Sequence, residues 1–229
     1  MIPERAPIPP MIDFEAVIRH FWPKALQTIQ EWKDMENDEK ALEAVADRNL
    51  PTRQDDLRNW LRSWAVLIGL TNAQREKITQ AVLEWADGRG LQRDLTMPES
   101  MAAAHAQLVN ALRNSSSDLE GRDFTVLASK ALWLCYPYQV AICDSYAKRA
   151  LYVVSKLEEG IAPITEGSDY HQFVQVWENL YTKHHDTIES LDMGAYPYRV
   201  RVFDRILWLI GQPYYTDRLP RDPKDVRAT

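Results

Sequence analysis

An aspartate delivered to the start of a helix by an apolar run is the arrangement in this chain best suited to chemistry. It is Asp144, within Leu127-Ala-Ser-Lys-Ala-Leu-Trp-Leu-Cys-Tyr-Pro-Tyr-Gln-Val-Ala-Ile-Cys-Asp-Ser-Tyr-Ala-Lys-Arg-Ala-Leu151. The pattern predicts one helix, a short hairpin loop, an apolar approach (Val140, Ala141, Ile142) and a second helix opening at Asp144. There the unsatisfied amides and the helix dipole keep a carboxylate ionised, and it can face a ligand. The same residues also support a plainer role. Aspartate is among the best N-caps, and Lys148, four residues on, is spaced for an ion pair.

Three aromatic residues, Trp133, Tyr136 and Tyr138, cluster just before the acid and could hold a flat ligand by stacking. Helical spacing allows Trp133 to be core as well. Lys130 shares a face with Val126 and Trp133, where it could reach a phosphate or a base, or stand in solvent. Arg199, Arg201 and Arg205 could follow a polynucleotide backbone. Arg201 and Arg205 share a face, with Asp204 beside them as a pairing partner.

The elements that must position these groups read as helices throughout. Asp13 caps a helix carrying Phe14, Ile18, Phe21, Leu26, Ile29 and Trp32, with a kink expected at Pro23. A short helix is predicted around Lys40–Ala46. Thr52 opens another, with Leu57, Trp60, Leu61, Trp64 and Ile68 at helical spacing. Thr71 or Asn72 caps a helix bearing Ile78, Val82 and Trp85, closed by Gly88 or Gly90. A helix from about Glu99 to Arg113 precedes the polar loop Asn114–Asp123. Past the Asp144 helix, which runs to about Leu157, helices are expected over Tyr170–Tyr181 and about Tyr198–Ile210. Trp22, Trp60, Trp64, Trp85 and Trp208 all fall at core-compatible positions. The expected fold is all-α, a helical bundle of two lobes, about 1–114 and 115–229, with a cleft between them.

Composition narrows the partners. At 229 residues the chain can bury one sizeable core, and its net charge is −6. Residues 31–57 carry nine acids against four bases, whereas 121–157 carry five bases against two acids and 199–229 seven against four. An acidic N-terminal stretch with two mildly basic later segments is compatible with a polynucleotide groove. The proline-rich opening Met-Ile-Pro-Glu-Arg-Ala-Pro-Ile-Pro-Pro reads as an extended strap and no apolar run would span a membrane, so a cytoplasmic protein without a membrane partner is expected. Cys135 and Cys143 supply neither a disulfide framework nor zinc spacing. His171 and the adjacent His184 and His185 lack the spaced partners of a metal site, so no metal is expected. Glu158-Glu159 reads as a solvated helix end.

The helix–loop–helix ending in Ala141-Ile-Cys-Asp144 resembles the second half of the helix-hairpin-helix module of DNA glycosylases, the endonuclease III and 8-oxoguanine glycosylase superfamily. With Leu127-Ala-Ser-Lys-Ala-Leu-Trp133 and the closing Arg201-Val-Phe-Asp-Arg-Ile-Leu-Trp-Leu-Ile-Gly211, the likeness is to archaeal-type 8-oxoguanine glycosylases and their relatives. It implies that Asp144 is catalytic, that Trp133, Tyr136 and Tyr138 bind the flipped base, and that Gly121, Arg122, Ser129, Lys130, Arg199, Arg201 and Arg205 contact DNA. No cofactor is implied, and a monomer is expected. The module is degenerate: only Gly121 stands where the family has a Gly-x-Gly turn. The position of the lyase lysine in bifunctional members falls on Val126, with Lys130 one helical turn further on. The resemblance therefore implies a monofunctional enzyme that leaves an intact abasic site. It extends to antiphage glycosylases that excise glucosylated hydroxymethylcytosine.

A second class of function stays open on the residues themselves. In a non-catalytic, all-α interaction protein, Asp144 would be a cap and the aromatics core. A helical ribonuclease is disfavoured, because no arginine is followed four to six residues later by histidine.

Overall fold

The computed structural model describes residues 13–31, 34–88, 95–115, 117–119, 121–165 and 167–212. Among these the regular elements are helices: α1 (Phe14–Glu31), α2 (Asp34–Ala46), α3 (Arg53–Ser63), α4 (Asn72–Gly88), α5 (Pro98–Asn114), α6 (Thr125–Cys135), α7 (Ser145–Leu157), α8 (Tyr170–Lys183), α9 (His185–Ser190) and α10 (Arg199–Gly211), with a short 3-10 turn at Ser117–Leu119. The fold is all-α. No described helix is long and apolar enough to cross a membrane. The N-terminal strap, Trp32 and Gly90 lie outside the described residues.

Local chemistry accounts for several boundaries. Asp13 Oδ1 accepts the amides of Glu15 and Ala16 at the start of α1. Thr71 and Gln74 form a reciprocal capping box on α4, Gln74 N to Thr71 Oγ1 at 3.2 Å and Thr71 N to Gln74 Oε1 at 2.9 Å. Pro98 occupies the first turn of α5, where its missing N–H is not needed. Pro23 lies inside α1, which continues past it to Glu31. The helix expected to run from Thr52 to Ile68 stops at Ser63. Ala65 takes a left-handed conformation at φ 58°, and Ile68 is left 69% exposed in the loop that follows. A non-glycine residue at positive φ cannot continue a right-handed helix, which ends the apolar stripe early. Helix α9 was not foreseen from the sequence.

The chain divides into two compact units, one comprising Met1–Gln27 and Asp144–Thr229, the other Thr28–Cys143. The loop around 115–123 thus falls within the second unit. In the first, α10 packs along α7. Gly211 makes this approach possible, since a Cβ there would stand 1.8 Å from the main-chain oxygen of Tyr146. Trp177 is buried and donates its indole N–H to the buried Asp204 at 2.8 Å, while Trp22 donates to the carbonyl of Asp192 at 2.7 Å. Both indoles thereby bury large apolar areas without leaving a polar atom unsatisfied.

In the second unit, α2 packs on α3 and α6, and α5 lies against α4 and α6. Its centre is the buried Trp60, whose indole donates to the buried Asp38 at 2.7 Å. The ring stacks on Trp133, with centroids 6.2 Å apart and planes within 7°. Arg53 grips both Asp87 oxygens at 2.8 and 2.6 Å and donates its Nε to the carbonyl of Ala44. A planar guanidinium suits such a bidentate bond.

Candidate functional site

Ser129, in the middle of α6, is buried, and its hydroxyl accepts the amide of Cys143 at 3.1 Å. The hydroxyl hydrogen lies within reach of two carbonyls, Val126 at 3.0 Å and Cys143 at 3.2 Å. The apolar segment Val140–Cys143 is buried and carries no helix or strand. Its last residue is therefore fixed to α6 through one side chain, since buried backbone groups outside regular structure need such partners. The glycosylase resemblance implies a DNA contact for Ser129. Its use on Cys143 leaves no local trace, because the two are fourteen residues apart.

Asp144 follows, extended (φ −132°, ψ 177°) and half-buried. Its Oδ1 accepts the amide of Ala147 at 2.8 Å, the bond of an N-cap. The expected ion pair is not made. Lys148 donates instead to the carbonyl of Ser168 at 3.0 Å. The carboxylate thus has one oxygen on the Ala147 amide and a second with no hydrogen-bond or ion-pair partner among the described residues.

The aromatic residues divide. Trp133 is wholly buried against Trp60. Tyr136 is half-buried and terminates α6, its amide donating to the carbonyls of Leu132 and Trp133. The turn it opens, closed by the amides of Gln139 and Val140 on its own carbonyl, presents Tyr138 at 65% exposure.

The basic residues are mostly engaged within their own unit. Lys130 is buried at 4% exposure, with its ammonium 4.1 Å from the centroid of the Trp64 ring. Arg199 donates to the carbonyls of Ile188 and Leu191 at 2.7 and 2.9 Å and pairs with Glu189, closing the end of α9. Arg201 and Arg205 are both buried at 2% exposure, and Arg205 lies over the Trp208 ring. Gly121 is exposed at φ 79°, and Arg122 donates to the carbonyl of Ile68 at 2.7 Å.

The reading of Glu158 as a solvated helix end is corrected. Its side chain is only 12% exposed, faces the buried His184 imidazole at 3.5 Å and accepts from Lys183 at 2.7 Å. These two contacts, the histidine first, hold its carboxyl down to about 2 against the opposing effect of burial. The carboxylate that follows α7 meets Lys183, the last residue of α8, and His184 just after it, partners that its own helix does not supply. Among the described residues no group of three or more His, Cys, Asp or Glu could hold a metal ion. Comparison with protein-family models, with curated proteins and with solved structures gave no match.

Proposed function

We propose that this protein is a monofunctional DNA N-glycosylase with Asp144 as its catalytic carboxylate. The observation that carries the reading is the geometry of that acid, with one oxygen on the Ala147 amide and no ion pair to Lys148. Cleaving an N-glycosidic bond builds positive charge on the sugar. An oriented, ionised carboxylate stabilises that charge and can draw the proton from an attacking water. Water adds at the anomeric carbon, the base leaves with its bonding electrons, and an abasic site remains. The base must first leave the duplex and stack on an aromatic surface, a role for which Tyr138 is the most exposed candidate.

The degenerate helix-hairpin-helix reading of α6, the 136–143 segment and α7 belongs to this proposal, as does a modified, phage-type base as target. Burial of Lys130 beneath Trp64 supports the monofunctional form, since a Schiff-base lysine must reach the sugar.

A second reading, a non-catalytic helical interaction protein, is favoured by the full burial of Trp133, Arg201 and Arg205 and by the use of Arg199 as a helix cap. One experiment separates them. The protein is incubated with plain DNA and with DNA carrying modified bases, glucosylated hydroxymethylcytosine among them, and alkali-labile sites are then scored. The glycosylase reading expects strand breaks only after alkali, no adduct trapped by borohydride, and loss of the alkali-labile sites in Asp144→Asn. Absence of cleavage on every substrate favours the interaction protein.

A further inference from the structure

Within the Thr28–Cys143 unit, Arg62 at the end of α3 and Arg75 in the first turn of α4 line one small cavity with Leu67 and Ile68, about 170 Å³ in volume. Among the described residues neither guanidinium meets a carboxylate. Of the acids on the same helices, Asp55 and Glu76 are engaged by Arg58. Arg62 makes no side-chain hydrogen bond or ion pair among the described residues. Arg75 makes one long bond, Nη1 to Asn72 Oδ1 at 3.4 Å, while its Nε is shielded from solvent and meets no acceptor among the described residues. Arg62 is exposed and Arg75 half-buried, so solvent screens the repulsion between them, and the shielded Nε–H of Arg75 is the group that an anion in the cavity would complete.

The loop between the two arginines is built rather than slack. Ala65 and Gly69 both take positive φ, 58° and 74°, and Arg122 donates to the Ile68 carbonyl at 2.7 Å. This holds Ile68 out at 69% exposure beside the guanidinium groups. The α4 N-terminus is already closed by its capping box, so the anion chemistry rests on the arginines. Guanidinium forks match a tetrahedral phosphate bidentately, better than a lysine point charge.

We propose that Arg62 and Arg75 form a phosphate-binding pocket, its ligand the phosphodiester of a nucleic-acid strand whose sugar or base lies over Ile68. The inference does not rest on the glycosylase reading, and it locates a phosphate contact in the half of the chain that its net charge made the least promising.

Binding of a fluorescein-labelled single-stranded oligonucleotide by anisotropy tests it, all in an Asp144→Asn background so that excision plays no part. Arg62→Gln/Arg75→Gln should weaken binding about tenfold or more and lower the log–log salt slope by roughly 1.4. Arg48→Gln, which removes a charge already engaged by Asp87, should leave both nearly unchanged. Arg62→Lys/Arg75→Lys keeps the charge and loses the fork, so it should recover only part of the affinity. Thermal melts screen every variant for folding, and the single Arg62→Gln change serves if the double variant is unstable. A parallel arm titrates inorganic phosphate against the Arg75 Nε–H resonance. A phosphate-induced shift with unchanged oligonucleotide binding keeps the pocket and reassigns its ligand to a small phosphate. Complete recovery by the lysine pair, or no response in either arm, overturns the proposal.

Discussion

Lys148, four residues after Asp144, gives its ammonium to the carbonyl of Ser168 at 3.0 Å and not to the aspartate. Of the two bonds that an ordinary capping aspartate would make here, α7 keeps the cap and forgoes the ion pair.

That separation makes the acid testable. Asp144→Asn should melt within about 0.5 kcal/mol of the parent, because asparagine caps about as well as aspartate. Asp144→Ala should cost about 1 kcal/mol through the lost cap. Both should abolish excision, by roughly 100-fold or more if the carboxylate stabilises developing charge. An asparagine variant that excises at the parental rate removes Asp144 from the mechanism.

The aromatic pair should respond in opposite ways. Trp133→Ala opens a cavity against Trp60 and should destabilise the protein by about 3–5 kcal/mol in denaturant titrations. Tyr138→Ala removes an exposed ring and should leave stability within about 0.5 kcal/mol. If Tyr138 stacks on the flipped base, the same change should alter which base is excised, measured as the ratio of rates on two substrates.

Glu158 sets an acid-side stability slope. Its carboxyl is lowered from 4.5 to about 2 in the folded protein, chiefly by His184 and then by Lys183. A depressed folded-state value contributes stability that is complete above the unfolded pKa and is lost as pH falls from about 4.5 toward 2. The contribution is at most roughly 3 kcal/mol, reduced by whatever screening solvent provides. Glu158→Gln should therefore lower the melting temperature near neutral pH and flatten its fall between those two values. An unchanged acid limb would show that the cluster holds no charge-dependent stability.

Gly211→Ala should be among the most damaging single-methyl changes in the chain. The added Cβ would meet the Tyr146 carbonyl oxygen at 1.8 Å and its carbon at 2.5 Å, and a backbone carbonyl cannot rotate away like a flexible side chain. A loss of about 2–3 kcal/mol is expected, read as a lower denaturant midpoint with unchanged slope. A neutral variant would mean that α10 and α7 can separate without cost.

Much of the helical framework was legible from local rules. Asp13, Thr71 and Asp144 each cap the helix assigned to them, because a cap is decided by residues two or three positions apart. Periodicity failed at Ile68, where a left-handed Ala65 turned an apolar residue of the expected stripe out to solvent. It also missed α9, whose six residues carry too few apolar positions to show a repeat. The chemistry-bearing side chains divide on the same principle. The sequence by itself determined an all-α chain and an aspartate opening a helix behind a buried apolar segment, since composition, capping and apolar period act over a few residues. Tertiary structure alone decided that Ser129 would hold Cys143, that Lys148 would turn to Ser168, that Trp133 would face Trp60, and that Arg62 and Arg75 would share a cavity. Each of those outcomes joins residues more than ten positions apart, and which distant partner a side chain meets depends on how the helices pack, which no local pattern encodes.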